Sequence, residues 1–303
     1  MHDASNLDLD RALGFAVPAR SARGRIVRVG PVLDRILSAH DYPPAIESLL
    51  AEALTLAALI GSTLKDPSGQ LTMQAQTQEG VIKLLVCDYR GGELRGYVQF
   101  DADRLAEPTA QPVLPALFGD GYLTITFDLA VTGERYQGIV PLDGESLSEA
   151  VRSFFLQSEQ VPSFVRVGID KRADGSTVAG GLFLQHLPEG EVGRERLHVR
   201  LDHPEWEHVA ALGNTMHADE LADPTLPLET LVWRLFNEES EVRVLESTPL
   251  SRGCRCTPEH IESVIAKFPL DEQREMADAD GVITVDCAFC AQKFPVQIGA
   301  AIA

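Results

Sequence analysis

Four of the chain's five cysteines fall within its last fifty residues, as Cys254-Arg255-Cys256 and Cys287-Ala288-Phe289-Cys290, with thirty residues (257–286) between the pairs. Two short thiol pairs converging from separate segments supply what a tetrahedral zinc site needs, four sulfur donors at about 2.3 Å. Cys-x-x-Cys has the spacing usual for structural zinc, and Cys-x-Cys is one residue tighter. Thiols this close also become disulfide partners once the metal is challenged. The segment that carries them, about 251–297, is too small to bury a self-sufficient core and needs a staple. Zinc on Cys254, Cys256, Cys287 and Cys290 is the staple they offer.

Local signals fill in that module. Thr257-Pro258 is a helix start, a cap followed by a proline at the first helical position, and the helix should end before Pro269. A second short helix is expected over about Asp271–Ala277, then a turn at Asp280-Gly281. A strand over Val282–Val285 should lead into the second cysteine pair and return through Phe294 and Val296. Other readings compete. An iron–sulfur site lacks the ferredoxin cysteine run, and a thioredoxin-like motif lacks a βαβ unit around Cys287 and Cys290. A nucleic-acid finger sits badly with Glu259, Glu262, Asp271, Glu272, Glu275, Asp278 and Asp280. A purely structural zinc site stays open.

The net charge of −19 over 303 residues disfavours phosphate backbones, so no nucleic-acid partner is expected. The densest basic stretch, Arg20 to Arg28, precedes an apolar run and does not interleave with aromatics. The first residues do not resemble a signal peptide's basic start. The most apolar helix candidate, Ala45 to Leu64, is interrupted by Glu47 and Glu52 and is not expected to span a membrane. Cysteines clustered at metal spacing fit a reducing cytoplasm better than a disulfide framework. Cys87, in the apolar run from Val81, reads as an inert buried thiol. His203, His208 and His217 read as solvated. No Ser/His/Asp set, phosphate-binding loop or paired-carboxylate arrangement stands out, so neither a nucleotide nor an enzyme activity is expected.

The remaining chain divides by texture. Residues 1–20 read as a loose leader. Over 21–188 strands at Leu71–Gln76, Leu123–Leu129, Tyr136–Val140, Phe164–Ile169 and Val178–Gln185 alternate with helices over Ala45–Leu64 and Leu147–Gln157. That pattern predicts an α+β fold, an antiparallel sheet with packed helices. Residues 189–250 are densely charged. They carry short apolar clusters (Val209, Leu212, Leu221, Leu231, Val232, Leu235, Phe236) broken by Pro204, Pro224 and Pro227. Such a mostly helical amphipathic linker has no core of its own and must lie on something. The four-cysteine module (251–297) and a tail (298–303) follow.

With these elements in place, the chain resembles the redox-regulated 33-kDa heat-shock protein family, bacterial holdase chaperones. The two cysteine pairs carry the resemblance. It extends through His40-Asp41-Tyr42-Pro43, the Glu52 helix ending in Leu64-Lys65, Leu71-Thr72-Met73-Gln74 and Gly119-Asp120-Gly121. Tyr136-Gln137-Gly138-Ile139-Val140, Gln157-Ser158-Glu159-Gln160 and Ala179-Gly180-Gly181-Leu182-Phe183-Leu184-Gln185 complete it. Two positions depart from the pattern: Ala291 stands where the family tends to carry glycine, and Phe155 where it often has tyrosine. The resemblance implies that the reduced form binds one Zn²⁺ per chain and is inactive. Oxidants such as hypochlorous acid, or peroxide with heat, would then form the disulfides Cys254–Cys256 and Cys287–Cys290. Zinc leaves, the module unfolds and the linker loses its anchor. It further implies a homodimer when oxidised, binding of unfolding client proteins, and no use of ATP. An acidic zinc-stapled adaptor and a thiol–disulfide oxidoreductase are the alternatives from other functional classes.

Overall fold

A long helix held between two sheets organises the chain, in a computed structural model that describes residues 8–105, 114–187 and 202–298. In chain order the first elements are β1 (Arg11–Val17), β2 (Ala22–Val29), α1 (Pro31–Leu37) and α2 (Pro44–Gly61). Next come β3 (Gln70–Thr77), β4 (Ile82–Arg90), β5 (Glu93–Phe100), α3 (Leu114–Phe118), β6 (Gly121–Leu129) and β7 (Glu134–Pro141). Helix α4 (Leu147–Gln157), β8 (Ser163–Lys171) and β9 (Thr177–His186) follow. After the linker helices α5 (Pro204–Thr215), α6 (Ala218–Ala222) and α7 (Leu228–Phe236) lie three two-residue strands. These are β10 (Arg243–Val244), β11 (Thr248–Pro249) and β12 (Ser251–Arg252). The chain closes with α8 (Pro258–Ile265), α9 (Leu270–Met276), β13 (Val282–Asp286) and β14 (Lys293–Gln297).

The single sheet expected from the strand pattern is two sheets. One has the order β10-β1-β2-β9-β8, with β11 also on β1; the other runs β12-β5-β4-β3-β6-β7. Every pairing in them is antiparallel except β12 on β5. Helix α2 contacts β2, β8 and β9 of the first sheet and β3, β4 and β5 of the second. That explains why it is apolar nearly all round: both sides face protein. By length and composition alone α2 is apolar enough to cross a membrane despite Glu47 and Glu52, but most of it is buried inside the protein, as in a core helix. Its place between the sheets accounts for its character instead. Glu52 is used locally, accepting from the backbone N (2.9 Å) and Oγ (2.7 Å) of Ser148 at the start of α4. Burial raises its pKa, and these bonds offset only part of that.

The loose leader requires correction. Arg11–Val17 is strand β1, paired along its whole length with β2, and Leu13, Phe15 and Val17 are buried. Residues 1–7 lie outside the described residues. Strand β9 is buried from end to end, because α2 covers one face and the linker helices the other. Leu13, Phe15, Val17, Ile26, Leu182 and Leu184 form one apolar cluster with Trp206, Val209, Leu221, Leu228, Leu231 and Phe236 of α5 to α7. The expected resting place of the linker is therefore the outer face of the first sheet. Residue 188, residues 189–201 of that segment, and 299–303 of the tail lie outside the described residues.

Candidate metal centre

In an extended chain, residues two apart project to the same side. Cys-x-Cys therefore presents two thiols together and turns Arg255 the other way. The second pair sits on a turn after β13, where Cys287 O accepts from the backbone N of Cys290 (3.3 Å) and Ala291 (2.8 Å). All four Sγ atoms lie within 4.8 Å of one another. Cys254 is 2.9 Å from Cys256 and 3.6 Å from Cys287, and Cys256 is 3.3 Å from Cys290. A tetrahedron with Zn–S bonds of about 2.3 Å has S···S edges of about 3.8 Å, so the donor set fits a single ion with small adjustments. Burial opposes ionisation of Cys254, but hydrogen bonds from Cys256 and the other thiols outweigh it and hold its pKa down at about 7. Cys256 is raised, first by burial and then by the neighbouring thiols, and burial also raises Cys290. Four thiols sharing one small space do not all ionise unaided. A divalent cation among them removes that obstacle.

The surrounding module follows the sequence closely. Thr257 caps α8 by accepting from His260 N at 3.2 Å. The hairpin β13–β14 pairs Ile283 with Val296 and Val285 with Phe294. Ala291 adopts φ +55°, the left-handed region that favours glycine. Ala291→Gly is therefore expected to tighten zinc binding about fivefold, for about 1 kcal/mol of relieved strain. Competition with a chromogenic chelator measures it; unchanged affinity would mean that the turn carries no strain.

Both cysteine pairs dock on the second sheet through a residue that lies between their thiols, Arg255 in the first and Phe289 in the second. Arg255 donates to Gln70 Oε1 at 2.5 Å. Phe289 lies 4.1 Å below the Arg95 guanidinium and meets Tyr97 edge-on at 5.0 Å. These two contacts are linked across the sheet. Gln70 donates to Thr72 Oγ1 (3.0 Å), Thr72 to Asp88 (2.7 Å), and Arg95 pairs with Asp88 at 2.6 Å. Thr72, Asp88 and Arg95 occupy one rung across β3, β4 and β5. One polar rung thus touches both halves of the cysteine site.

The linker has its own clamp, which sequence reading missed. Arg28, Gly180 and Gly168 form one rung of β2, β9 and β8. The backbone of α6 rests on the glycines: a Cβ at Gly168 would lie 1.7 Å from Ala218 O, and one at Gly180 2.0 Å from Leu221 O. Arg28, fully buried, donates to Leu221 O (2.9 Å), Leu226 O (2.7 Å) and Glu220 O (3.3 Å). Arg11 pairs with Glu229, Arg20 with Glu205 and Glu239, and Arg166 donates to Asn214 O. Of the basic stretch, Arg20 and Arg28 thus face linker acceptors, whereas Arg23 donates to Gln185 Oε1 and Arg25 to Ser62 O. The histidines read as solvated have local partners: His203 Nδ1 accepts from Glu205 N at the start of α5, and His208 lies 3.0 Å from Glu239. His217 stands at the start of α6. Cys87 is fully buried, and burial holds its pKa well up.

The model of the family described as "Hsp33 protein" matches residues 10–297. A 33 kDa chaperonin of Caulobacter vibrioides is 39% identical over 302 residues, covering 97% of each chain. One from Yersinia pestis is 34% identical over 279 residues, covering 90% of this chain and 87% of the relative. The crystal structure of the 33 kDa chaperonin of Thermotoga maritima superposes with a TM-score of 0.77 at 22% identity, covering 95% of both chains, a likeness of fold.

Proposed function

We propose, on the premise that this chain belongs to the Hsp33 protein family, that it is a redox-regulated, ATP-independent holdase of the cytoplasm. The observation that carries this reading is the convergence of Cys254, Cys256, Cys287 and Cys290 in a module with almost no apolar core. In the reduced state these four residues hold one Zn²⁺, which supplies the cross-link that the fold of the module lacks. During oxidation each thiolate pair, Cys254 with Cys256 and Cys287 with Cys290, gives two electrons to the oxidant and closes an S–S bond, while hypochlorous acid leaves as chloride and hydroxide, or peroxide as two hydroxides. Hypochlorous acid or peroxide is the acceptor. Disulfide sulfurs are no longer thiolate donors, so the site is dismantled. The linker clamp then loses the docked neighbour that follows it in the chain. Release exposes Leu13, Phe15, Ile26 and Leu182 on the sheet and the apolar faces of α5 to α7. That surface receives unfolding clients, and the active form is a homodimer.

The test couples two readouts. Oxidant is added to the reduced, zinc-loaded protein while a chromogenic chelator follows zinc and light scattering follows a thermally unfolding enzyme. About one zinc per chain should be released, with scattering suppressed only after oxidation and returned by a thiol reductant. Zinc release without suppression would leave the cysteines purely structural and favour the adaptor reading.

A further inference from the structure

Strand β5 is a sheet edge closed by two small devices. Over its first half lies β12, whose Ser251 N donates to Gly92 O (2.9 Å), while Gly253 N, just past the strand, donates to Leu94 O (2.8 Å). The register is parallel, Ser251 beside Glu93 and Arg252 beside Leu94. Further along, the Tyr42 hydroxyl accepts from Val98 N (2.9 Å) and donates to Val98 O (3.3 Å). One side-chain oxygen thus satisfies both outward groups of a strand residue, which is how an edge is kept from pairing with another chain.

Both devices lead back to the cysteine module. Cys254 follows Gly253 directly. Tyr42 stacks on His40 at 4.9 Å, and the His40 ring lies against the Ala288 backbone between Cys287 and Cys290. Phe289 sits on Arg95 and Tyr97 of β5 itself. A two-residue strand with so few backbone hydrogen bonds does not offset the ordering of its own residues. It stays because the clamped, docked module holds its far end.

We infer that the β5 edge, Glu93–Phe100, is a strand-addition site for extended segments of unfolding polypeptides, and that β12 is its resident occupant in the reduced protein. The inference rests on the holdase reading and deepens it. When the four-thiolate site is dismantled, β12 and the His40–Tyr42 plug lose their support together. The edge then offers a row of unpaired backbone groups. Main-chain pairing there asks nothing of the client's sequence, as a holdase for varied clients requires. Among the described residues no hydrogen bond runs from the cysteine module to the opposite edge of the same sheet, β7, which serves as the internal control.

Amide hydrogen exchange over 93–100 and 134–141 tests this in three states: reduced and zinc-loaded, oxidised, and oxidised with a thermally unfolding enzyme. The β5 amides should be protected, then exchange at least about tenfold faster, then regain protection with client, while β7 stays unchanged. Ser251→Pro removes the Ser251 N–Gly92 O hydrogen bond but no thiol. It should retain zinc and speed β5 exchange about fivefold in the reduced protein. Tyr42→Phe should do the same at Val98 should the proline variant fail to fold. Suppressed scattering without renewed β5 protection would place clients elsewhere and overturn the inference. So would protection of oxidised β5 without client, which would assign the edge to a second copy. Absence of suppression in every state would instead sink the holdase reading, and this inference with it.

Discussion

Arg28→Ala is expected to make the reduced, zinc-loaded protein suppress aggregation without any oxidant. The argument is one of unpaired groups. Arg28 is fully buried, and burial lowers its pKa to about 10, so it remains a cation at neutral pH. Its guanidinium satisfies carbonyls of Glu220, Leu221 and Leu226 at the end of α6 and just beyond, where a helix terminus leaves carbonyls short of partners, although Glu220 O also accepts from Asp223 N. Hydrogen bonds to a charged donor are worth about 1.5–3 kcal/mol each, and stranding the acceptors adds to the loss. A net cost of about 3 kcal/mol shifts the closed-to-open equilibrium of the linker roughly a hundredfold. Limited proteolysis across 202–246 and light scattering on the same reduced sample measure it. Gly180→Ala tests the same seat by steric means, since its Cβ would meet Leu221 O at 2.0 Å. A reduced Arg28→Ala protein that stays inert, with its linker still protected, would show that the apolar cluster alone holds α5 to α7.

Why the clamp escaped sequence reading is a matter of distance along the chain. Arg23, Arg25 and Arg28 sit among apolar residues of β2, and nothing within a few positions says that one of them is buried. The partners of Arg28 lie 192 to 198 residues away. Strand β1 was hidden for the same reason, since part of its pairing comes from β10 and β11, more than two hundred residues later. Its continuous apolar run from Ala12 to Val17 was a usable signal, as was Gly30-Pro31 for the missed helix α1. What read correctly was local. Helix α4 follows from the spacing of Val151, Phe154 and Phe155, and the cysteine module follows from Thr257-Pro258 and Asp280-Gly281. Ala291 belongs to the same class: the residue type was visible, and its positive φ gives the departure from glycine a physical meaning.

Stripping the metal from the reduced protein should unfold residues 258–297 while leaving both large sheets folded. The apolar cluster of the module has Ile265, Ile283 and Val296 buried, with Ile261, Ala277, Val285 and Ile298 only partly so. Burying a large aliphatic side chain contributes about 1.5–3 kcal/mol, and each ordered backbone residue costs about 1–2 kcal/mol. A three-residue core cannot hold some forty residues against that. Structural zinc supplies about 10–16 kcal/mol in such modules, which makes this the largest single effect expected in the molecule. Exhaustive chelation under reducing conditions, read by amide exchange, separates two roles that oxidation mixes. Loss of protection in β13 and β14 without any disulfide would make the metal the staple and oxidation only the means of removing it. Retained protection would shift the burden to the docking contacts of Arg255 and Phe289. Thr72, Asp88 and Arg95 would then hold the module to the sheet whether or not a metal is bound.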